Sequence, residues 1–137
     1  MTTPGPGPGP DTRPDSLRPP PEAPTRGYAI STPRLYVHVF DDSQQALADK
    51  LRTDYAKERR WLTPGIENVV RTAAARGIKV PRGTANARVV YFSSDDETRA
   101  QSVAQWLRSN GQADAVTQLS RLKAPPGQIE VWFPSRD

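Results

Sequence analysis

Two stretches of this chain carry one local pattern, and that repeat limits the folds open to it. Each begins with a run rich in β-branched and aromatic residues: Leu35-Tyr36-Val37-His38-Val39-Phe40 in the first half, Asn86 to Phe92 in the second. Such residues suit the pleated, half-buried surface of a sheet. Each run is followed by residues that cap helices, Asp41-Asp42-Ser43 and Ser94-Asp95-Asp96-Glu97. In the second set Ser94 and Glu97 match a capping box, where serine oxygen and glutamate each take a free backbone N–H. An amphipathic stretch comes next in both halves. Leu47, Leu51 and Tyr55 share one helical face, as do Ala100, Val103, Ala104 and Leu107,. The first helix is expected to run to about Arg60, with Trp61-Leu62 folding back on the core. Asn110-Gly111 ends the second, since glycine accepts the left-handed cap.

The two halves align as Gln45 to Arg52 on Gln101 to Arg108 and Val37 to Phe40 on Val89 to Phe92, with four extra residues between strand and helix in the second half. Downstream, Ile66 to Arg71 and Asp114 to Leu122 read as strands, and Thr72 to Ala85 as a mobile loop. Gln128 to Phe133 is a last strand; Ile129, Val131 and Phe133 face one way and Gln128, Glu130 and Trp132 the other,. The fold this predicts is α+β, a two-layer ferredoxin-like sandwich. It has β-α-β repeated twice plus a C-terminal strand, with the helices on one face of the sheet. The first strands of the two units would be parallel central neighbours. The last strand would form a hairpin with Asp114 to Leu122 or lie at an edge.

One domain suits 137 residues,. Ten of the 15 prolines fall within residues 1–33, where aliphatic side chains are almost absent. Nothing there offsets the entropy of ordering, so residues 1–33 are expected to be a disordered Pro/Gly-rich arm, a tether partly in polyproline II, and residues 34–137 the single α/β domain. An SH3-type motif in Leu17 to Pro21 lacks a suitable basic flank. There is no cysteine, which removes disulfides, thiolate metal sites and cysteine nucleophiles,. No run has the roughly 18 apolar residues of a membrane span. Met1 to Pro10 lacks the basic and apolar regions of a secretory signal,. The expectation is a cytoplasmic protein without membrane insertion, or an envelope-associated one if the chain is part of something longer.

Ala87-Arg88-Val89-Val90-Tyr91-Phe92, the acidic cap after it and Ala100 to Leu107 are similar to the second half of the LytR C-terminal type of small α/β module in bacterial envelope proteins. Pro64-Gly65-Ile66-Glu67-Asn68-Val69 looks like that module's helix-to-strand junction. More distantly, the skeleton over residues 35–134 resembles the SPOR type. Asp41-Asp42-Ser43 stands where the LytR type usually has an Asn-Gly-rich turn. The resemblance implies an accessory, non-enzymatic binding role, cell-wall glycan included.

Three constellations bear on chemistry. His38 is the one histidine, so any Ser-His-Asp or histidine-based metal site must use it,; no HExxH, GxSxG or Walker-type loop is present. Asp41-Asp42 and Asp95-Asp96 occupy matching places after their strands and would meet at one sheet end, as a hard cation prefers. Carboxylates in a first helical turn also simply complement the helix dipole. Finally, Arg71, Arg76, Lys79, Arg82 and Arg88 lie in a stretch without an acid from Arg71 to Ser94, and the net charge is +4. That loop could grip a polyanion, though no aromatic is interleaved in it for base stacking.

The leading expectation is thus a non-enzymatic binding module without cofactor or metal, for a protein or glycan partner. Its working residues would be Trp132, on the uncovered sheet face, with Arg71, Arg76, Lys79, Arg82 and Arg88. The alternatives are nucleic-acid or other polyanion binding through the basic loop, and a metal-dependent phosphate-processing enzyme using Asp41, Asp42, Asp95 and Asp96.

Overall fold

In the computed structural model, which describes residues 32–135, the expected strand and helix of each half form. Residues 1–31 of the arm expected over residues 1–33 lie outside the described residues. Strand β1 (Arg34–Val39) leads through a 3-10 turn, Asp42–Gln44, into α1 (Gln45–Glu58) and then β2 (Ile66–Asn68). Helix α2 (Val69–Arg76) begins directly after it. The second unit is β3 (Arg88–Tyr91), the 3-10 turn Ser94–Asp96, α3 (Glu97–Ser109) and β4 (Val116–Leu119), and β5 (Gln128–Trp132) closes the chain.

Mixed α/β architecture is therefore correct, with five strands and three helices among the described residues, but the interleaved ferredoxin-like order is not what forms. The sheet runs β2-β1-β5-β3-β4. Within each unit the two strands are direct parallel neighbours, β1 with β2 and β3 with β4. Strand β5 sits between the units, parallel to β1 and antiparallel to β3. Neither the hairpin nor the edge place expected for it is taken. The reason is burial: Ile129, Val131 and Phe133 are no more than 1% exposed, and an edge would leave that apolar face partly wet. The free inner edges of β1 and β3 supply hydrogen bonds on both sides of it.

Leu35, Val37 and Val39 of β1, Ile129, Val131 and Phe133, and Val89 and Tyr91 of β3 make one core with Ala48, Leu51 and Tyr55 of α1 and Ala100, Val103, Ala104 and Leu107 of α3. Helices α1 and α3 thus cover the same face of the sheet, as expected. Trp61 joins this core, its ring centroid 4.7 Å from that of Tyr55. Trp106 lies at the rim and donates its indole N–H to Asp54 at 2.9 Å.

Two local expectations need correction. The strand expected over Ile66 to Arg71 stops at Asn68, and helix α2 takes Val69 to Arg76, the start of the expected loop; residues 77–85 have neither helix nor strand. The Asn68 side chain caps this helix by accepting from the amides of Val70 and Arg71, and Gly77 ends it with φ +66°,. The two units also match without the four-residue insertion. Asp42–Gln44 corresponds to Ser94–Asp96, and buried Ala48, Leu51 and Tyr55 to Ala100, Val103 and Leu107. Similar side-chain types one turn along the helix had produced the shifted alignment.

Candidate functional site

The sheet face opposite α1 and α3 is built by the alternate residues of each strand. Strand register aligns five of them in one row across the sheet. Glu67 of β2 is level with His38 of β1, His38 with Trp132 of β5, Trp132 with Arg88 of β3, and Arg88 with Val116 of β4. A second row runs Tyr36, Glu130, Val90 and Gln118.

The first row is tightly ordered. The His38 and Trp132 rings stack at 4.0 Å between centroids and 7° between planes. From the β3 side the Arg88 guanidinium lies over the same indole, 5.8 Å from its centroid. Phe40 leans against the indole at 6.2 Å. The Trp132 N–H donates to Glu130 at 3.1 Å, and Glu130 also accepts from Gln128. His38 has Glu67 at 3.6 Å. Stacking and cation–π contacts of this kind contribute about 0.5–1.5 kcal/mol each beyond area burial. Trp132 does lie on the uncovered face, as expected, but it is half-buried, held between side chains of the two flanking strands.

Arg88 alone in the row lacks a polar partner. Its Nε is buried with no hydrogen-bond acceptor. Glu130, on the neighbouring strand, is engaged by Gln128 and Trp132. Burying that N–H without an acceptor carries a desolvation cost, which the contact with the Trp132 indole partly offsets,.

The remaining cations do not gather around it. Arg71, at the start of α2, pairs with Asp42 at 2.6 Å. Arg76 ends α2 and is exposed. Lys79 and Arg82 line a shallow groove with Ser135. The end of their loop meets the C-terminal segment: the Ser135 amide donates to the Thr84 carbonyl at 2.9 Å, and Gly83 lies against Phe40 and Ser135.

The acidic constellation does not converge. Because β1 and β3 run antiparallel through β5, Asp41-Asp42 and Asp95-Asp96 lie at opposite ends of the sheet, and no described group of three or more ligand-type residues could hold a metal ion. The carboxylates have local duties. Asp41 accepts from the Ser43 amide, Asp42 holds Arg71, and buried Asp96 accepts from the Gly127 amide and pairs with Arg99. Ser93, not Ser94, caps the second turn.

Sequence reasoning missed Glu67 and the partnerless state of Arg88. Alternation puts Trp132 on the uncovered face, but register alone decides that His38 touches it. No described helix is long and apolar enough to cross a membrane. Compared with protein-family models, with curated proteins and with solved structures, this chain has no match in any of the three.

Proposed function

We propose that this chain is a non-enzymatic binding module that takes a protein partner on its uncovered sheet face. The observation that carries the reading is the row Glu67-His38-Trp132-Arg88, a pre-ordered aromatic and charged surface. Rigid aromatic and arginine anchors are what binding surfaces favour, because little conformational entropy is lost when they are covered. Exposed Val116 extends the row with apolar surface. The likeness to LytR-type modules adds an accessory role. Its glycan form suits this face less well. A sugar ring needs an open aromatic face, and the Trp132 indole has His38 against it and Arg88 over it.

The test is site-specific cross-linking in the full chain, with a photoreactive residue at Tyr36 in the neighbouring row. Covalent capture of one defined protein, weakened when Trp132 becomes Ala, supports the reading. Capture that is the same from a photoreactive residue on the outer side of α1, or that ignores Trp132→Ala, overturns it.

A second reading, polyanion or nucleic-acid binding, is favoured by one observation. Arg76, Lys79 and Arg82 are all exposed, and no hydrogen bond or ion pair engages their side chains among the described residues. It requires affinity for an oligonucleotide that falls steeply with salt and disappears when all three become Ala; salt-independent or absent binding removes it.

A further inference from the structure

We infer that β4 is a docking edge for an extended acidic segment of a partner protein, added as a sixth strand with its carboxylates near Arg121 and Lys123. The inference rests on the binding-module reading and names the part of the face, and the chemistry, that the partner would use.

The two edges of the sheet are unlike. Strand β2 has three residues and passes directly into α2. Strand β4, Val116-Thr117-Gln118-Leu119, has no proline, no charge and no bulge, the devices that normally guard an exposed edge,. Its inward hydrogen bonds are made: the Val116 amide donates to Ala87 and the Ser120 amide to Tyr91. Backbone groups alternate in direction along a strand, so the N–H and C=O of Thr117 and Leu119 point away from the sheet. They have no strand to pair with among the described residues. Arg108 already satisfies the carbonyl of Ala115, which marks the start of the open stretch.

Side-chain chemistry adds the sign of the charge. A strand laid along β4 places one residue beside Val116, in the row that continues to Arg88 and Trp132. The sign comes from Arg121 and Lys123, just beyond β4, which are exposed and attract an acidic segment,. Val116 and Leu119, 41% and 52% exposed, would pack against its apolar residues on the two faces. Backbone pairing supplies affinity in this mode and the alternate side chains supply selectivity.

A displayed library of random peptides is selected against the full chain, and the enriched peptides are measured by titration. Two variants separate the parts. Thr117→Pro removes an outward N–H that the fold does not use, and Arg121→Gln together with Lys123→Gln removes the cations. The expected result is enrichment of segments alternating acidic and apolar residues. Affinity should fall about tenfold or more in either variant, with unfolding midpoints close to that of the unaltered chain, and the amides of Thr117 and Leu119 should become protected from hydrogen exchange. Peptides without acidic residues, or binding indifferent to both variants, overturn the edge inference. If such peptides still depend on Trp132, the binding-module reading survives that failure; if no peptide binds, both fall. Self-association of the free chain that Thr117→Pro abolishes would show a second copy to be the occupant, which also overturns it.

Discussion

Gln44 and Asp96 stand at the same point of the two β-α-β units and hold opposite ends of one strand. The Gln44 side chain accepts from the Phe40 amide and donates to the Pro134 carbonyl, both at 2.8 Å, just past the end of β5. Asp96 accepts from the Gly127 amide at 3.0 Å, just before β5 begins. Both are buried, at 8% and 4% exposure, the only polar or charged residues among those described that are. Each unit of the pseudo-twofold pair thus offers a polar side chain from its 3-10 turn, and β5 is fastened in the gap between the units at both ends.

Truncating either clamp should loosen β5 measurably. Gln44→Ala strands a buried N–H and C=O, and Asp96→Ala leaves the Gly127 amide and Arg99 without their acceptor. Each should cost about 2 kcal/mol in urea unfolding. Asp96→Asn keeps an oxygen for the Gly127 amide and should cost less. The clamps share no partner, so the double variant should show the sum of the single losses. Losses near zero, or a strongly non-additive pair, would mean that β5 is held by its apolar side chains alone.

Glycines separate anchored from open backbone. A Cβ on Gly83 would collide with the Ser135 side chain and come within 2.9 Å of Phe40 Cζ, whereas one on Gly65 meets nothing within 4 Å. Gly83→Ala should therefore push the basic loop off the end of β5 and destabilise by about 1–3 kcal/mol. Gly65→Ala should be neutral or stabilise by up to about 1 kcal/mol, by restricting the unfolded chain. Thermal unfolding of the two variants side by side gives the comparison; equal midpoints would show the loop free to move away from Phe40.

Local chemistry made each strand-helix pair legible, and the unread parts depend on contacts between distant segments. The inward face of β5 was plain from Ile129, Val131 and Phe133, but its central place required knowing that β1 and β3 keep free inner edges, which no local pattern records. The antiparallel sense of β1 and β3 comes from that placement, and with it the separation of the acidic pairs that had looked convergent. Helix α2 was readable in principle. Asn68 and Gly77 bracket Val69 to Arg76 as N-cap and C-terminal glycine, yet the alanine- and arginine-rich composition and the β-branched Val69-Val70 favoured the strand-then-loop reading. At the site, alternation placed Trp132 on the uncovered face. That Arg88 lies over Trp132 and has no acceptor depends on a cross-sheet register set by β5.

Tyr55 links the two helices and sets an alkaline limit on stability. Its hydroxyl lies 2.9 Å from Ser102 Oγ, joining α1 to α3 beneath Trp61. Burial raises its pKa above the ordinary 10.0, and the hydrogen bond to Ser102 and the nearby Arg59 only partly offset that. The folded state therefore keeps the phenol proton at pH values where the unfolded chain has lost it. Where the native state binds more protons than the unfolded state, stability falls as pH rises. The contribution of Tyr55 is fully present below about pH 10 and is lost as pH climbs through the raised value. Tyr55→Phe should cost about 1 kcal/mol at neutral pH through the lost hydrogen bond. It should also flatten the alkaline decline, so that the gap between variant and unaltered chain narrows above pH 10 in denaturant titrations run at a series of pH values. A gap that stays constant across that range would mean the phenol ionises as easily in the folded protein as in the unfolded chain.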